Sequence, residues 1–304
     1  MPNETPPGQI SAKGPLVWLD MDQTELDNAY DQAVYAPNQA HVQARRDVST
    51  ARARAALGAP QRIKYGPAEI EGLDLFRAKA ANAPIAVYIH GGAWRNGVAG
   101  NFHTPAEMFV NAGAHYAALD FTSIDNAGGS LFPMVDQVRR GVAWVYKNAR
   151  EIGADPARVY VLGHSSGGHL ASCVVTTDWA GEFGLPAKVL AGALVCSGMY
   201  DLTPVRLSKR SKYVDFTDEM VAKLSAIRHL DRINMPLVVG YGTNETPEFQ
   251  RQARDFVAAL EAAGKPHELV VGVGYNHFEI AETIANPYGL IGRRVLAMMG
   301  LGPG

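Results

Sequence analysis

One stretch limits what this chain can fold into more than any other: Val159-Tyr160-Val161-Leu162 followed at once by Gly163-His164-Ser165-Ser166-Gly167. The short β-branched and aromatic run reads as a buried strand, and Gly167 to Val175 reads as a helix. A Gly-x-Ser-x-Gly at a strand-to-helix junction is the pattern of a nucleophile elbow. The turn is so sharp that the serine must accept a strained backbone, and its neighbours must be small. Gly163 and Gly167 supply that room. Such a turn would hold Ser165 Oγ clear of the backbone at the tip of a sheet, beside the first N–H groups of a helix.

The rest of the chain alternates in a way that suits this junction. Short extended pieces at Arg62–Tyr65 and Leu73–Phe76 suggest an antiparallel edge. Strands are expected at Ile85–Ile89, Tyr116–Leu119, Val159–Leu162, Val189–Val195, Pro236–Gly240 and Glu268–Val271. Helices are expected near Pro105–Asn111, over Pro133–Glu151 and Pro247–Ala263, and in a final stretch running to about Met299. In the second of these, Val135, Val138, Val142 and Val145 form one apolar stripe, with Pro133 suited to a first helical position. Near-continuous apolar strands separated by amphipathic helices imply a mostly parallel sheet covered on both faces.

At 304 residues, one α/β domain spanning 1–304 is the expected organisation. Residues 1–20 read as a loose N-terminal segment, and 203–232 as a polar, helical insert or cap. The stretch from Thr24 to Leu57 reads as N-terminal helices that either cap a pocket or build a homodimer. Net charge of −2 gives no electrostatic case for nucleic acid or an anionic membrane. Arg45, Arg46, Arg52 and Arg54, interleaved with Ala, read as a solvated helix face. No apolar run reaches the length of a membrane span, and Met1–Gly14 has no apolar core like that of a signal peptide, so a cytoplasmic location is expected. Cys173 and Cys196 read as small buried hydrophobes.

A serine hydroxyl needs a base, and the base needs an orienting acid. Chain order at a nucleophile elbow runs Ser, then Asp or Glu, then His. Four histidines follow Ser165: His169, His229, His267 and His277. Only His277, in Gly274-Tyr275-Asn276-His277-Phe278, sits after the last strand and before the last helical stretch. For the acid, Glu245 follows the Pro236–Gly240 strand, Asp201 follows the strand before it, and Glu248 falls in a first helical turn. His90-Gly91-Gly92-Ala93-Trp94 follows strand Ile85–Ile89, where backbone N–H groups can meet a developing oxyanion. Gly91, Gly92 and Ser166 are the expected donors, with His90 ordering the loop.

These segments together resemble the kynurenine formamidase (arylformamidase) branch of the α/β-hydrolases, close to the hormone-sensitive-lipase-like esterases. The residues that carry the likeness are His90–Trp94, Gly163–His169, Ser197-Gly198-Met199-Tyr200-Asp201-Leu202, Glu245-Thr246-Pro247-Glu248-Phe249, and Glu25-Leu26-Asp27 with Tyr30. It spans residues 24–290. The resemblance implies an α/β-hydrolase fold and places the acid at Glu245, although Asp is often found at that position. It also implies a small-molecule ester or amide substrate, an aryl formamide by family expectation, cleaved through an acyl-serine with no metal or organic cofactor. The loop Asp120-Phe121-Thr122-Ser123-Ile124-Asp125-Asn126-Ala127-Gly128-Gly129-Ser130 departs from the Tyr-Arg-Leu-Ala-Pro-like segment of esterase relatives and is expected to border the pocket. Trp94, Phe102, Phe121, Phe132 and Tyr275 are the candidate walls for a flat aromatic substrate. Two other functions fit the same sequence: a general carboxylesterase, and a non-catalytic ligand-binding homologue.

Overall fold

A computed structural model describes residues 13–302. Its main sheet has eight strands. In chain order they are β1 (Gln61–Lys64), β2 (Gly72–Phe76), β3 (Ala83–Ile89), β4 (His115–Leu119), β5 (Ala154–His164), β6 (Gly192–Cys196), β7 (Leu237–Gly242) and β8 (His267–Gly272). Their spatial order is β8-β7-β6-β5-β3-β4-β2-β1. Strands β3 to β8 pair in parallel, while β2 and β1 complete the edge antiparallel. The parallel sheet with an antiparallel edge agrees with the alternation read from the sequence.

The sheet buries both faces. In β3, Ile85, Val87 and Ile89 point into one apolar cluster and Ala86 and Tyr88 into the other, as the two-residue repeat of a strand requires. The larger cluster lies under the Phe132–Asn148 helix, whose Val135, Val138, Val142 and Val145 are fully buried. Each such side chain contributes roughly 1.5–3 kcal/mol relative to exposure. The Ser166–Val175 and Pro247–Ala262 helices cover the same face. The other face takes Ala106–Asn111 and Gly292–Met298.

Four expectations need correction. The last helical stretch is broken: His277–Glu282 runs into a single 3₁₀ turn, and Gly292–Met298 starts afresh. Pro287 has no N–H to continue a helix. A Cβ on Gly289 or Gly292 would meet the Thr283 and Asn286 carbonyls, so the chain folds back there. The Phe132–Asn148 helix stops short of Glu151 because Gly153, at φ +84°, turns the chain and Ala154 N–H closes onto Ala149 O. The apolar run at Val189 joins the ladder only near Gly192. Of the loose N-terminal segment, residues 1–12 lie outside the described residues, but Leu16–Trp18 and Met21–Asp22 pair as a small hairpin.

The N-terminal helices are Gln23–Ala29, Gln32–Tyr35 and Gln39–Leu57. The segment 203–232 is helical, with Leu202–Leu207 and Asp218–Leu224 joined by 3₁₀ turns. Both regions lie over the carboxyl end of the sheet, where Lys209 pairs with Asp31 and its N–H donates to Asp27. Among the described residues, no helix is long and apolar enough to cross a membrane.

Candidate active site

Strand β5 ends between β3 and β6, with Gly163 in register with Ile89 and Val195, so the next residue emerges at the centre of the sheet. There Ser165 adopts φ +61°, ψ −131°, a strained conformation for a residue with a Cβ. The turn tolerates nothing bulkier around it. A Cβ on Gly163 would sit 2.1 Å from Gly167 O, and one on Gly167 would sit 2.1 Å from Ile89 O. Both glycines are therefore required by close backbone approach rather than by turn conformation alone.

His277 opens the first helix after β8, and Asn276 caps that helix through the N–H groups of Phe278 and Glu279. The cap fixes where the imidazole stands. Nε2 lies 2.8 Å from Ser165 Oγ, and Nδ1 lies 2.7 Å from Glu245 Oε2. An ionised carboxylate can only accept, so Nδ1 carries the proton and Nε2 is left to accept from the Ser165 hydroxyl. Glu245 is buried, and its other oxygen accepts from Ser197 Oγ at 2.6 Å and from Gly242 N–H at 2.7 Å. Three donors thus satisfy a carboxylate that burial would otherwise penalise. Ser197, at φ +49° directly after β6, was not singled out from the sequence. Its signal lies in the Ser197–Leu202 stretch, which the sequence offers for Asp201 and for the family likeness.

The other two acid candidates are committed elsewhere. Asp201 caps the Leu202–Leu207 helix through the Thr203 N–H and hydroxyl. Glu248 is gripped by Arg251 at 2.6 and 2.7 Å and accepts from the Tyr30 hydroxyl at 2.9 Å. Of the remaining histidines, His169 accepts from the Trp94 indole N–H at 3.2 Å, and burial lowers its pKa to about 4. His229 faces Ala222 O and His267 lies beside Lys265 O, both away from Ser165.

The His90–Trp94 loop curls against the elbow. A Cβ on Gly91 would come within 3.0 Å of Ser165 Cβ, and Trp94 N–H donates to Ser166 Oγ at 3.1 Å. Gly92, Ala93 and Trp94 all have positive φ, an unusual run that concentrates strain beside the serine. Among the described residues, no group accepts a hydrogen bond from the N–H of Gly91, Gly92, Ala93 or Ser166. His90 is stacked between Phe121 at 4.3 Å and Phe102 at 5.2 Å, and burial holds its pKa down. His164, before the serine, lies 4.5 Å from the His277 ring. Burial first, then that neighbour, push its pKa well below the usual value, so it stays neutral beside an imidazolium.

Ser165 and His277 open into a cavity of about 1320 Å³. Its walls differ from the expected ones. Phe102 lines it, but Phe132 and Tyr275 do not. Trp94 and Phe121 instead border a small void behind the Gly91–Gly92 turn, with Thr122 and Ser123. The 120–130 loop therefore props the His90–Trp94 loop from behind: Ile124 N–H bonds Trp94 O, and Arg95 pairs with Asp125. Tyr30, Tyr213, Phe278 and Tyr288 line the cavity in their place, drawn from the N-terminal region, the insert and the C-terminal segment.

The arginine cluster is not a plain solvated face. Arg46 and Arg52 line the cavity, with Arg46 over the Phe102 ring at 5.0 Å. Arg54 donates to His103 Nδ1 and Gly100 O, and Arg45 bonds Glu282 through two nitrogens. A helix this poor in apolar residues docks through its arginines, which the periodicity of its Ala residues hides. Among the described residues, no group of three or more His, Cys, Asp or Glu is placed to hold a metal ion.

Comparison with known proteins gives the family. The Prolyl oligopeptidase family model matches residues 135–288, and a BD-FAE model matches residues 73–189. The chain belongs to the prolyl oligopeptidase family. It has the α/β-hydrolase fold and is similar to the kynurenine formamidase and esterase group. It is 29% identical over 297 residues to a kynurenine formamidase of Danio rerio, covering 93% of this chain and 98% of the relative. A kynurenine formamidase of Salmo salar is 28% identical over 298 residues, with the same coverage. Among solved structures, the Est2 esterase of Thermogutta terrifontis with propionate bound superposes at TM-score 0.67. It is 20% identical and covers 82% of this chain and 97% of its own. This member of the family is a serine hydrolase acting on small esters or amides.

Proposed function

We propose that Ser165 is the nucleophile, His277 the general base and acid, and Glu245 the orienting acid of an acyl transfer to water. The single observation that carries this reading is the continuous chain Ser165 Oγ, His277 Nε2, His277 Nδ1, Glu245 Oε2, at 2.8 and 2.7 Å. His277 takes the serine proton as Oγ attacks the substrate carbonyl. The N–H groups of Gly91, Gly92 and Ser166 hold the oxyanion, each worth roughly 3 kcal/mol of transition-state stabilisation. His277 then protonates the leaving group, and water attacks the acyl-serine by the same route in reverse.

The substrate we infer is an aryl formamide, with short esters as competent surrogates. The kynurenine formamidase relatives support the formamide, and the aromatic rings of Tyr30, Phe102, Tyr213 and Phe278 around the cavity suit a flat substrate. We assign residues 203–232 and the Gln39–Leu57 helix to a cap over this site, within one catalytic domain. A general carboxylesterase is the second reading. It draws on the cavity volume of about 1320 Å³, which exceeds the 300–1,000 Å³ usual for small-molecule sites.

The test compares kcat/KM on N-formylkynurenine and on short p-nitrophenyl esters, with Ser165→Ala beside each. A strong preference for the formamide makes the chain an arylformamidase. Ester turnover alone makes it a carboxylesterase of the same machinery. Turnover that survives Ser165→Ala at full rate overturns the assignment of the nucleophile.

A further inference from the structure

The cavity above Ser165 holds a cation that the proposed mechanism does not use. Arg210, from the 203–232 insert, borders the cavity yet is only 6% exposed. Its Nη1 donates to the Tyr213 hydroxyl at 2.6 Å and its Nη2 to the Tyr30 carbonyl at 3.1 Å. The guanidinium lies over the Trp94 ring, 5.4 Å from the centroid. Every one of these partners is neutral.

No carboxylate of the described residues comes within 4.0 Å of Arg210. Asp31, which is near enough to feel its charge, is already taken by Lys209 and by the N–H of Ala33. A guanidinium offers five N–H donors. Two are used here, and Nε is buried with no partner at all. Buried arginines are almost always paired, because an uncompensated charge out of water is costly. The place of this one is informative too. Trp94 closes the oxyanion loop and donates its N–H to Ser166 Oγ, so Arg210 stands on a ring fixed to the reacting centre.

We propose that Arg210 is a substrate-binding residue that takes a carboxylate, and that the preferred substrates are esters or amides bearing one. The proposal deepens the serine-hydrolase reading and rests on it. The guanidinium fork matches a carboxylate in plane, and the one unused N–H of each Nη supplies the donors, since Nε is closed off from the cavity. The cavity wall carries four Lys or Arg side chains and four carboxylates, which suits a single negative charge better than a dianionic phosphate.

Two matched pairs test this on either side of the scissile bond. They are 4-nitrophenyl hemisuccinate against 4-nitrophenyl butyrate, and 3-acetoxybenzoate against 3-methylphenyl acetate. Each kcat/KM is divided by the hydroxide rate of the same ester. The wild-type enzyme is expected to favour the charged member of one pair by roughly ten- to a hundredfold, chiefly through KM. Arg210→Gln removes that ratio, and Arg210→Lys keeps part of it. If the variants fail to fold, inhibition of the wild type by benzoate and by benzamide decides, with benzoate expected to bind at least tenfold tighter. Ratios near one for both pairs in the wild type, an unchanged ratio in Arg210→Gln, or equal inhibition by the two benzoyl compounds would overturn the proposal. Loss of neutral-ester turnover in Ser165→Ala is a separate outcome: it keeps the serine reading intact when only the carboxylate preference is missing.

Discussion

The floor and the roof of this active site are built by opposite means. The floor is backbone against backbone: at Gly163, Gly167 and Gly168 a single added carbon would lie 2.1 to 2.6 Å from a carbonyl oxygen. The roof, from the Gln39–Leu57 helix and the 203–232 insert, is held by side chains, with Lys209 on Asp31, Arg54 on His103 and Arg45 on Glu282. The floor has no slack, so it can hold an Oγ, an imidazole and a carboxylate in line. Polar contacts of the roof can be exchanged without disturbing that line. On the proposed assignment, reaction chemistry belongs to the rigid layer and substrate choice to the adjustable one.

Substitutions in the two layers should differ in size. Glu245→Gln is expected to lower kcat about 10⁴-fold, because an amide no longer enforces the His277 tautomer. Asp201→Asn, which keeps a helix cap, should leave kcat within a few-fold. Steady-state kinetics on one ester checks both, and the reverse ranking would remove Glu245 from the triad. In the floor, Gly167→Ala should destabilise the protein by about 1–3 kcal/mol in urea unfolding, since the methyl would meet Ile89 O. An unchanged midpoint would mean the floor has the slack denied to it here.

The third effect depends on pH. Burial lowers the pKa of His169 to about 4, below the ordinary histidine value near 6.5. The unfolded chain therefore takes up this proton first as pH falls. Stability is fully present above pH ~6.5 and declines down to pH ~4, by about 1.4 kcal/mol per pH unit for this one group. His169→Gln should flatten the unfolding free energy against pH by that slope. Parallel curves for the two proteins would show that His169 does not stay neutral. The smallest effect belongs to the roof. Lys209→Gln should cost no more than ~1 kcal/mol, because the ion pair with Asp31 is part-exposed. A loss comparable to that of Gly167→Ala would erase the distinction between the two layers.

The same division explains how much could be read from sequence. Floor residues announce themselves, because close backbone approach demands glycine and the elbow demands Gly-x-Ser-x-Gly between a strand and a helix. Ser165, His277 and the loop at Gly91 and Gly92 follow from residue type and chain order, and the family likeness favours Glu245. The roof leaves no comparable trace. Arg46 and Arg52 face the cavity from a helix whose pattern reads as solvated, because an arginine stem packs without any apolar periodicity. Tyr30 bonds Glu248 and Gln252 across more than two hundred residues, and no local pattern encodes such a pairing. Of the expected aromatic wall only Phe102 lines the cavity, for the same reason. Trp94 and Phe121 are near Ser165 in the fold but border the small void beside Gly91.

If Ser165 carries the acyl group, the adduct can be trapped and located. The enzyme is mixed with p-nitrophenyl acetate, quenched in acid within milliseconds, digested, and its peptides weighed. An acetyl increment is expected on the peptide containing Ser165, formed with a stoichiometric burst of nitrophenolate and absent from Ser165→Ala. Acetyl found on another residue, or turnover with no acyl-enzyme and no loss in Ser165→Ala, would contradict it.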